Sequence, residues 1–335
     1  MCVVDPLSVQ AVSRRSFLGT ALVASAAAAL DVGRRWVLPG VAEGAETAAK
    51  NGGPGSAGVN FKWLGTDGWE ITFGKKTILL DPWLSRTNAG LFSGKFDPKT
   101  PPKVEEALID QHITRADHIL IGHGHYDHIA DVPYIAKKTD AMVIGSESHI
   151  NMLRAYGLPD AKLVPCKGGE FLQFDGYTIE VFPSLHSLQP TKKVPIPGRL
   201  TSVPPIPATI MDMPEGDSLV YMLTIGGKFS VFLTSTANFI ERAIAGLRPD
   251  VALFAPLGGR QVAAFTPRLL KAINHPPVIL PTHWDNWEKP ITGPPQDLRD
   301  VLGDGGNLDL IVKDIKQESP TSRVVVLKYF ESFAP

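Results

Sequence analysis

Between His123 and His128 the chain reads His-Gly-His-Tyr-Asp-His, which puts three imidazoles and one carboxylate within six residues. A hydrophobic core does not accept such a run readily, because each buried polar ring needs a partner. A divalent cation does, since neutral His nitrogen and carboxylate oxygen are its ordinary ligands. The run follows Ile119-Leu120-Ile121-Gly122 and precedes a helix-like segment from Ile129 to Lys138. It therefore reads as a loop leaving the C-terminal end of a strand, where α/β folds carry their chemistry. The competing reading is a His-rich surface loop.

Short apolar runs separated by turn residues surround this loop. Phe61–Leu64 and Trp69–Phe73 read as a hairpin, and Thr77–Leu80 as a strand ending at Asp81-Pro82. Beyond the His run, Ala141–Ile144 reads as a strand and Ser148–Tyr156 as a helix closed by Gly157 and Pro159. Further strands are expected at Phe171–Phe174, Tyr177–Phe182, Ser218–Ile225, Phe229–Leu233, Val251–Phe254, Val278–Leu280 and Arg323–Phe330. Helices are expected at Pro267–Ile273 and Pro295–Leu302. Strands dominate each half with helices between them, which predicts sheets layered together and flanked by helices. The segment 188–216 differs, because seven prolines (190, 195, 197, 204, 205, 207 and 214) forbid a regular helix or central strand. It reads either as a lid over the His loop or as a solvated excursion, and Lys192, Lys193 and Arg199 are its candidate contacts to an anionic group.

The N-terminus predicts export. Ser13-Arg14-Arg15-Ser16-Phe17-Leu18 precedes an alanine-rich apolar stretch from Gly19 to Leu30, then Asp31, Arg34 and Arg35. This is the layout of a signal segment, and the apolar stretch is shorter than the roughly 20 residues a membrane-spanning helix needs. The Arg-Arg pair resembles the twin-arginine signal, which carries folded proteins to the periplasm, cell envelope or outside. Residues 1–42 are assigned to it, with cleavage near Ala42; residues 43–59 read as a disordered linker and 60–335 as a single domain. No stable membrane span is expected after cleavage. Transport in the folded state suits a metalloenzyme loaded beforehand, with the twin-arginine machinery as partner. The net charge of −1 gives no global pull toward nucleic acid. With Cys2 removed, Cys166 stands alone, which excludes a disulfide scaffold or Cys-ligated zinc.

Three more sites stand at strand exits: Asp81 after Thr77–Leu80, His186 after Tyr177–Phe182, and His283 after Val278–Leu280. Separate loops at strand ends can converge on one point. With these in order after the His-x-His-x-Asp-His run, the chain resembles the metallo-β-lactamase-fold superfamily. More narrowly it resembles the hydrolase branch with ascorbate-phosphate lactonase-like and phosphodiesterase-like members. The resemblance rests on Thr77–Pro82, Ala116–Ile129, Pro183–Ser187 and Leu280–Trp287. It implies a four-layer αββα sandwich of two mixed sheets flanked by helices. It also implies that His123, His125 and His186 hold one metal and that Asp127, His128 and His283 hold a second. Asp81 would sit behind them, fixing an imidazole tautomer or bracing the loop.

Three imidazoles with an open fourth position suit Zn²⁺, with Mn²⁺ or Fe²⁺ as alternatives, and bring a bound water's pKa near neutrality. Metal-bound hydroxide would then attack a small-molecule ester, lactone or phosphodiester, with Asp127 orienting it or accepting its proton. In one respect the chain departs from the family, which carries a bridging Asp in a Gly-Asp pair after a late strand. Here Phe232 to Phe239 reads FLTSTANF, with Thr236 or Ser235 at that position. One tight and one weak metal site are therefore expected, with Asp67, Asp285 or Asn238 as substitute oxygens. Loss of the bridge also supports a second function, that of a non-catalytic metal-binding envelope protein. Trp284 and Trp287 read as walls of an apolar substrate site or as packing residues. His112, His118, His149 and His275 read as surface or satisfied core residues, with His149 the one candidate to line the pocket.

Overall fold

Hydrophobic alternation along the strands builds two sheets that share one core. The computed structural model describes residues 58–335, so the signal segment assigned to 1–42 and all but the end of the 43–59 linker lie outside the described residues. Val59, the last residue given to the linker, already pairs with Phe73 in a sheet. The chain runs through β1 (Val59–Gly65), β2 (Gly68–Phe73), β3 (Lys76–Leu80), β4 (His118–Leu120), β5 (Met142–Ser146) and β6 (Leu163–Cys166). It continues through β7 (Phe171–Phe174), β8 (Tyr177–Pro183), β9 (Leu219–Ile225), β10 (Phe229–Leu233), β11 (Val251–Phe254), β12 (Val278–Pro281), β13 (Arg323–Val324) and β14 (Ser332–Phe333). The two seven-stranded sheets have the orders β14-β1-β2-β3-β4-β5-β6 and β13-β12-β11-β10-β9-β8-β7. In each, an antiparallel set continues into a parallel one: β1–β3 into β4–β6, and β7–β10 into β11–β13.

Successive side chains point to opposite faces of a strand. Ile78 and Leu80 of β3 therefore enter the core between the sheets, with Trp63, Ile71, Tyr221, Val231 and Leu253. Leu79 points the other way, into a cluster with Ile119, Ile129, Ile135, Ile150 and Leu153. On the far side, Phe232 and Phe254 pack against Leu269, Leu270 and Ile315. Helix, sheet, sheet and helix make four layers, as the resemblance implied. Buried on both faces, the central strands read as near-continuous apolar runs.

The expected elements hold along most of the chain, and the exceptions have local causes. Pro295–Leu302 is helical only at Arg299–Leu302, because Asp285 and Asp297 form an isolated bridge and Asn286 N–H donates to the Gln296 carbonyl. The main helix of that region is Leu308–Glu318, where Asn307 caps the N-terminus by accepting from the Asp309 and Leu310 N–H groups. Arg323–Phe330 is strand only at Arg323–Val324, and the chain then turns at Phe330 (φ 61°) so that Ser332–Phe333 joins β1. The helix Glu106–His112 and strand β6 are further elements, beyond those expected from sequence. Among the described residues, no helix is long and apolar enough to cross a membrane.

Candidate metal centre

The His loop leaves the C-terminal end of β4, and its two glycines are dictated by close packing. A Cβ at Gly122 would lie 1.9 Å from Ser235 Oγ, and one at Gly124 would lie 2.4 Å from the Pro214 carbonyl. The alternation of Gly with His thus lets the backbone pass two walls while His123 and His125 project inward. A short helix, Tyr126–Ile129, follows and carries Asp127 and His128. His186 arrives from the end of β8 and His283 from the end of β12. Asp81 and His283 both have positive φ (38° and 51°), a strained conformation for non-glycine residues.

All six proposed ligands and Asp81 are buried. His123, His125 and His186 form one group whose donor atoms lie within 4.8 Å of one another, and Asp127, His128 and His283 form another. His123 Nε2 and His186 Nε2 are 3.2 Å apart, as are His128 Nε2 and His283 Nε2. Asp127 Oδ2 lies 3.5 Å from both of the latter nitrogens. Outer partners orient the rings. His186 Nδ1 donates to the Ser187 carbonyl at 2.8 Å, and His128 Nδ1 lies 2.8 Å from Asp81 Oδ2, so each turns Nε2 inward. His125 Nε2 lies 3.3 Å from the Ile196 carbonyl, which leaves Nδ1 as its lone pair.

The electrostatics suit a cation. Burial, reinforced by neighbouring imidazoles, holds His123 and His186 well below the usual histidine range, and His125 is pushed down to about 4 chiefly by burial. Neutral imidazole is the form that ligates. Burial also disfavours charge on Asp127, but His128 and His283 outweigh it and hold the carboxylate ionised. For His128, burial is outweighed by the Asp127 and Asp81 carboxylates, and its pKa is raised. Lone pairs facing one another across about 3 Å in a buried pocket fit divalent metal, and these residues accommodate it.

Of the candidates for a substitute bridging oxygen, Asp285 and Asn238 are engaged with other partners. Asp285 is held in a buried ion pair with Arg86 at 2.9 Å, and it accepts from Tyr329 OH and the Thr66 N–H. Asn238 donates to the His186 carbonyl, bracing that loop from behind. Thr236 lines the cavity, but its hydroxyl donates to the Leu185 carbonyl at 2.7 Å. Ser235 is the residue whose hydroxyl approaches a ligand, 3.2 Å from His123 Nδ1. Asp67 is fully buried with neither carboxylate oxygen hydrogen-bonded, and burial together with Asp81 raises its pKa well above normal. It belongs to neither donor group.

Above the donors opens a cavity of about 600 Å³, lined by His123, His125, Asp127, His186 and His283 at its floor. Trp287 forms one wall, with its ring 4.9 Å from His283. Trp284 does not line it, because its ring stacks on Trp63 at 5.1 Å in the inter-sheet core. The Pro-rich segment folds over the centre as a roof. Glu215 O accepts from Gly124 N–H at 2.7 Å, and Pro190, Pro195 and Ile196 line the cavity. Its cations do not enter the cavity: Lys192 donates to the Gln261 carbonyl, Arg199 pairs with Asp217, and Lys193 is exposed elsewhere. His149 is a satisfied core residue behind the roof, absent from the lining. From sequence, Ser235 stands as an alternative to Thr236 at the bridging position, and its approach to His123 and the place of Tyr126 in the wall emerge only from the packed structure.

Comparison with known proteins agrees with this geometry. The family model described as "Beta-lactamase superfamily domain" matches residues 76–264, more than half of the chain. A UPF0173 metal-dependent hydrolase from Myxococcus xanthus is 27% identical over 260 residues, covering 76% of this chain and 75% of the relative. One from Pyrobaculum aerophilum is 30% identical over 130 residues, which are 38% of this chain and 51% of the relative, so the match spans about half of that protein. Among solved structures, Igni18, a metallo hydrolase from Ignicoccus hospitalis, superposes with a TM-score of 0.53 at 19% identity, covering 82% of this chain and 97% of Igni18. CmlA, a diiron β-hydroxylase from Streptomyces venezuelae, gives 0.52 at 13% identity over 83% of this chain and 54% of its own. At such identities the likeness is one of fold. With two mixed sheets, donors at the strand ends and a family match over residues 76–264, the chain belongs to the beta-lactamase superfamily.

Proposed function

We propose that the chain is an exported metal-dependent hydrolase acting on a small-molecule ester, lactone or phosphodiester. The observation that carries this reading is the convergence of six buried donors from three separate strand exits, five of them on the floor of one cavity. His123, His125 and His186 would hold one metal, and Asp127, His128 and His283 a second, more weakly held one, because no carboxylate stands at Ser235 or Thr236. Zn²⁺ is the favoured ion on ligand chemistry, ahead of Mn²⁺ and Fe²⁺. When bound, such a metal polarises the electrophile and makes water acidic enough to attack at neutral pH.

The chain's own residues do the rest. Burial keeps His123, His125 and His186 neutral, and Asp81 presets the His128 tautomer. Asp127, kept ionised by His128 and His283, offers Oδ2 to orient the attacking water and take its proton. Trp287 and the Pro-rich roof shield the floor from bulk water, which strengthens every electrostatic interaction inside. Export rests on Ser13–Leu18 and the apolar stretch that follows.

The test is a panel of esters, lactones and phosphodiesters offered to metal-loaded protein, with chelated protein as control. Turnover of at least one class, abolished by chelation and by His123→Ala, is expected. A fully loaded protein inert toward every class would remove the hydrolase reading in favour of a metal-binding role without catalysis.

A further inference from the structure

We propose that the mouth of the cavity is a built site for an apolar chain, so that the substrate is a neutral ester or lactone bearing an alkyl or acyl tail. The inference rests on the hydrolase reading for the reaction, but the binding site stands independently of it.

Scattered exposed hydrophobic residues are ordinary on a protein surface, whereas a cluster of them is not. Of the eleven large hydrophobic residues exposed among the described residues, five line this one cavity: Leu91, Phe96, Met211, Val301 and Leu302, at 41–46% exposure. They come from three distant segments, namely the loop after β3, the Pro-rich roof, and the helix Arg299–Leu302.

None of the three is there by default. Glu288 accepts the N–H groups of Ala89, Leu91 and Phe92 at 2.8–2.9 Å, clamping the loop that presents Leu91. Ile210 N–H donates to the Thr100 carbonyl at 2.9 Å, tying the turn that carries Met211 to the end of that loop. Val301 and Leu302 N–H both bond to the Leu298 carbonyl, and Leu298 is itself fully buried. The fold thus holds an apolar collar in place against water, a cost that an apolar occupant would offset.

The lining below the collar excludes the alternatives. Among the described residues, and apart from the proposed metal ligands, no Lys, Arg, Asp, Glu or His faces the cavity. A substrate with a charged tail would be desolvated there without a partner. Phe92, Trp287, Leu257 and Ile196 line the same cavity as the collar and the donors, with Tyr126, Ser187, Gln189, Ser235 and Thr236 as its neutral polar groups. One cavity thus holds both an apolar tail at the rim and a scissile group at the floor.

The test is calorimetric binding of straight-chain primary alcohols, from 1-butanol to 1-octanol, to the metal-loaded full-length chain. Affinity should rise about two- to fourfold per methylene, the increment expected for burying one CH₂ group. Phe96→Ser combined with Leu302→Ser should flatten this dependence while metal content and circular dichroism stay unchanged, since both side chains are exposed. Phe171→Ser, an exposed residue of β7 outside the cavity, should leave the slope as in wild type. Affinity independent of chain length, a double variant with the wild-type slope, or equal flattening by Phe171→Ser would each overturn the assignment. No turnover enters this measurement. A protein that bound the alcohols as described but hydrolysed nothing would retain the apolar site and lose only the hydrolase reading.

Discussion

Asp81 Oδ2 lies 2.8 Å from His128 Nδ1, with both side chains fully buried. The second carboxylate oxygen accepts the Gly122 N–H at 2.7 Å, so one residue at the end of β3 grips both ends of the His loop. It fixes the His128 proton on Nδ1 and leaves Nε2 facing His283 and Asp127.

Partners that orient a ligand imidazole typically contribute 10- to 100-fold to metal affinity or activity. We expect Asp81→Asn to weaken metal binding at the Asp127, His128, His283 group by about that factor, with less effect on the three-His group. Titration against a competing chelator measures both sites. Unchanged affinity at both would show that the contact is only structural.

The absence of a carboxylate at Ser235 and Thr236 bears on stoichiometry. Purified protein is expected to keep one metal tightly and release a second first on dialysis. His123→Ala should abolish tight binding, and His283→Ala should alter mainly the weak site. Thr236→Asp should raise occupancy of the weak site, and Ser235→Asp, whose parent hydroxyl lies 3.2 Å from His123 Nδ1, is its companion. Metal analysis finding two ions held with equal tenacity in the wild type would contradict this.

Asp285 has a structural assignment. It pairs with buried Arg86 and accepts from Thr66 and Tyr329, so Asp285→Ala would strand a buried guanidinium. Breaking such a pair costs about 3–5 kcal/mol, readable as a lower urea midpoint. A loss under about 1 kcal/mol would place the pair among exposed, weakly contributing ones.

Acid should destabilise the fold at His149. His149 Nδ1 accepts the Ser146 N–H at 3.0 Å, so its proton sits on Nε2, 3.2 Å from the Glu215 carbonyl. Protonation would put a second proton against the Ser146 N–H, and burial pushes the pKa down from 6.5 to about 4. Between those values the unfolded chain binds more protons than the folded one, so stability is full above pH 6.5 and falls as pH drops toward 4. Denaturant midpoints at pH 7 and 5 should differ in that sense, and His149→Gln should shrink the difference. A midpoint rising on acidification would refute the assignment.

Replacing Arg14 and Arg15 with Lys should retain the protein in the cytoplasm, as judged by fractionation of expressing cells. Normal export of the doubly substituted chain would show that the N-terminal reading is wrong.

The layered fold and the donor set were legible because both depend on local order. Strand alternation sorts Ile78 and Leu80 from Leu79 whatever the partner strand, and a ligand placed just past a strand end stays at the sheet's edge. Leu308–Glu318 carries its own signal too, in the Asn307 cap and an amphipathic period, and it, rather than Pro295–Leu302, is the main helix of that region. What local order did not carry was the direction of side chains whose partners lie far away in sequence. Trp284 and Trp287 are three residues apart, yet one stacks on Trp63 and the other faces His283, because the chain turns between them. Asp285 was claimed by Arg86, 199 residues earlier in the chain, and Lys192 and Arg199 by Gln261 and Asp217, which left the cavity without cations. The apolar collar likewise exists only where three segments meet. Composition and spacing determine which residues can ligate and which strands can pair. The competition among distant partners for each buried polar group, settled only once the chain is packed, decides which of them face the site.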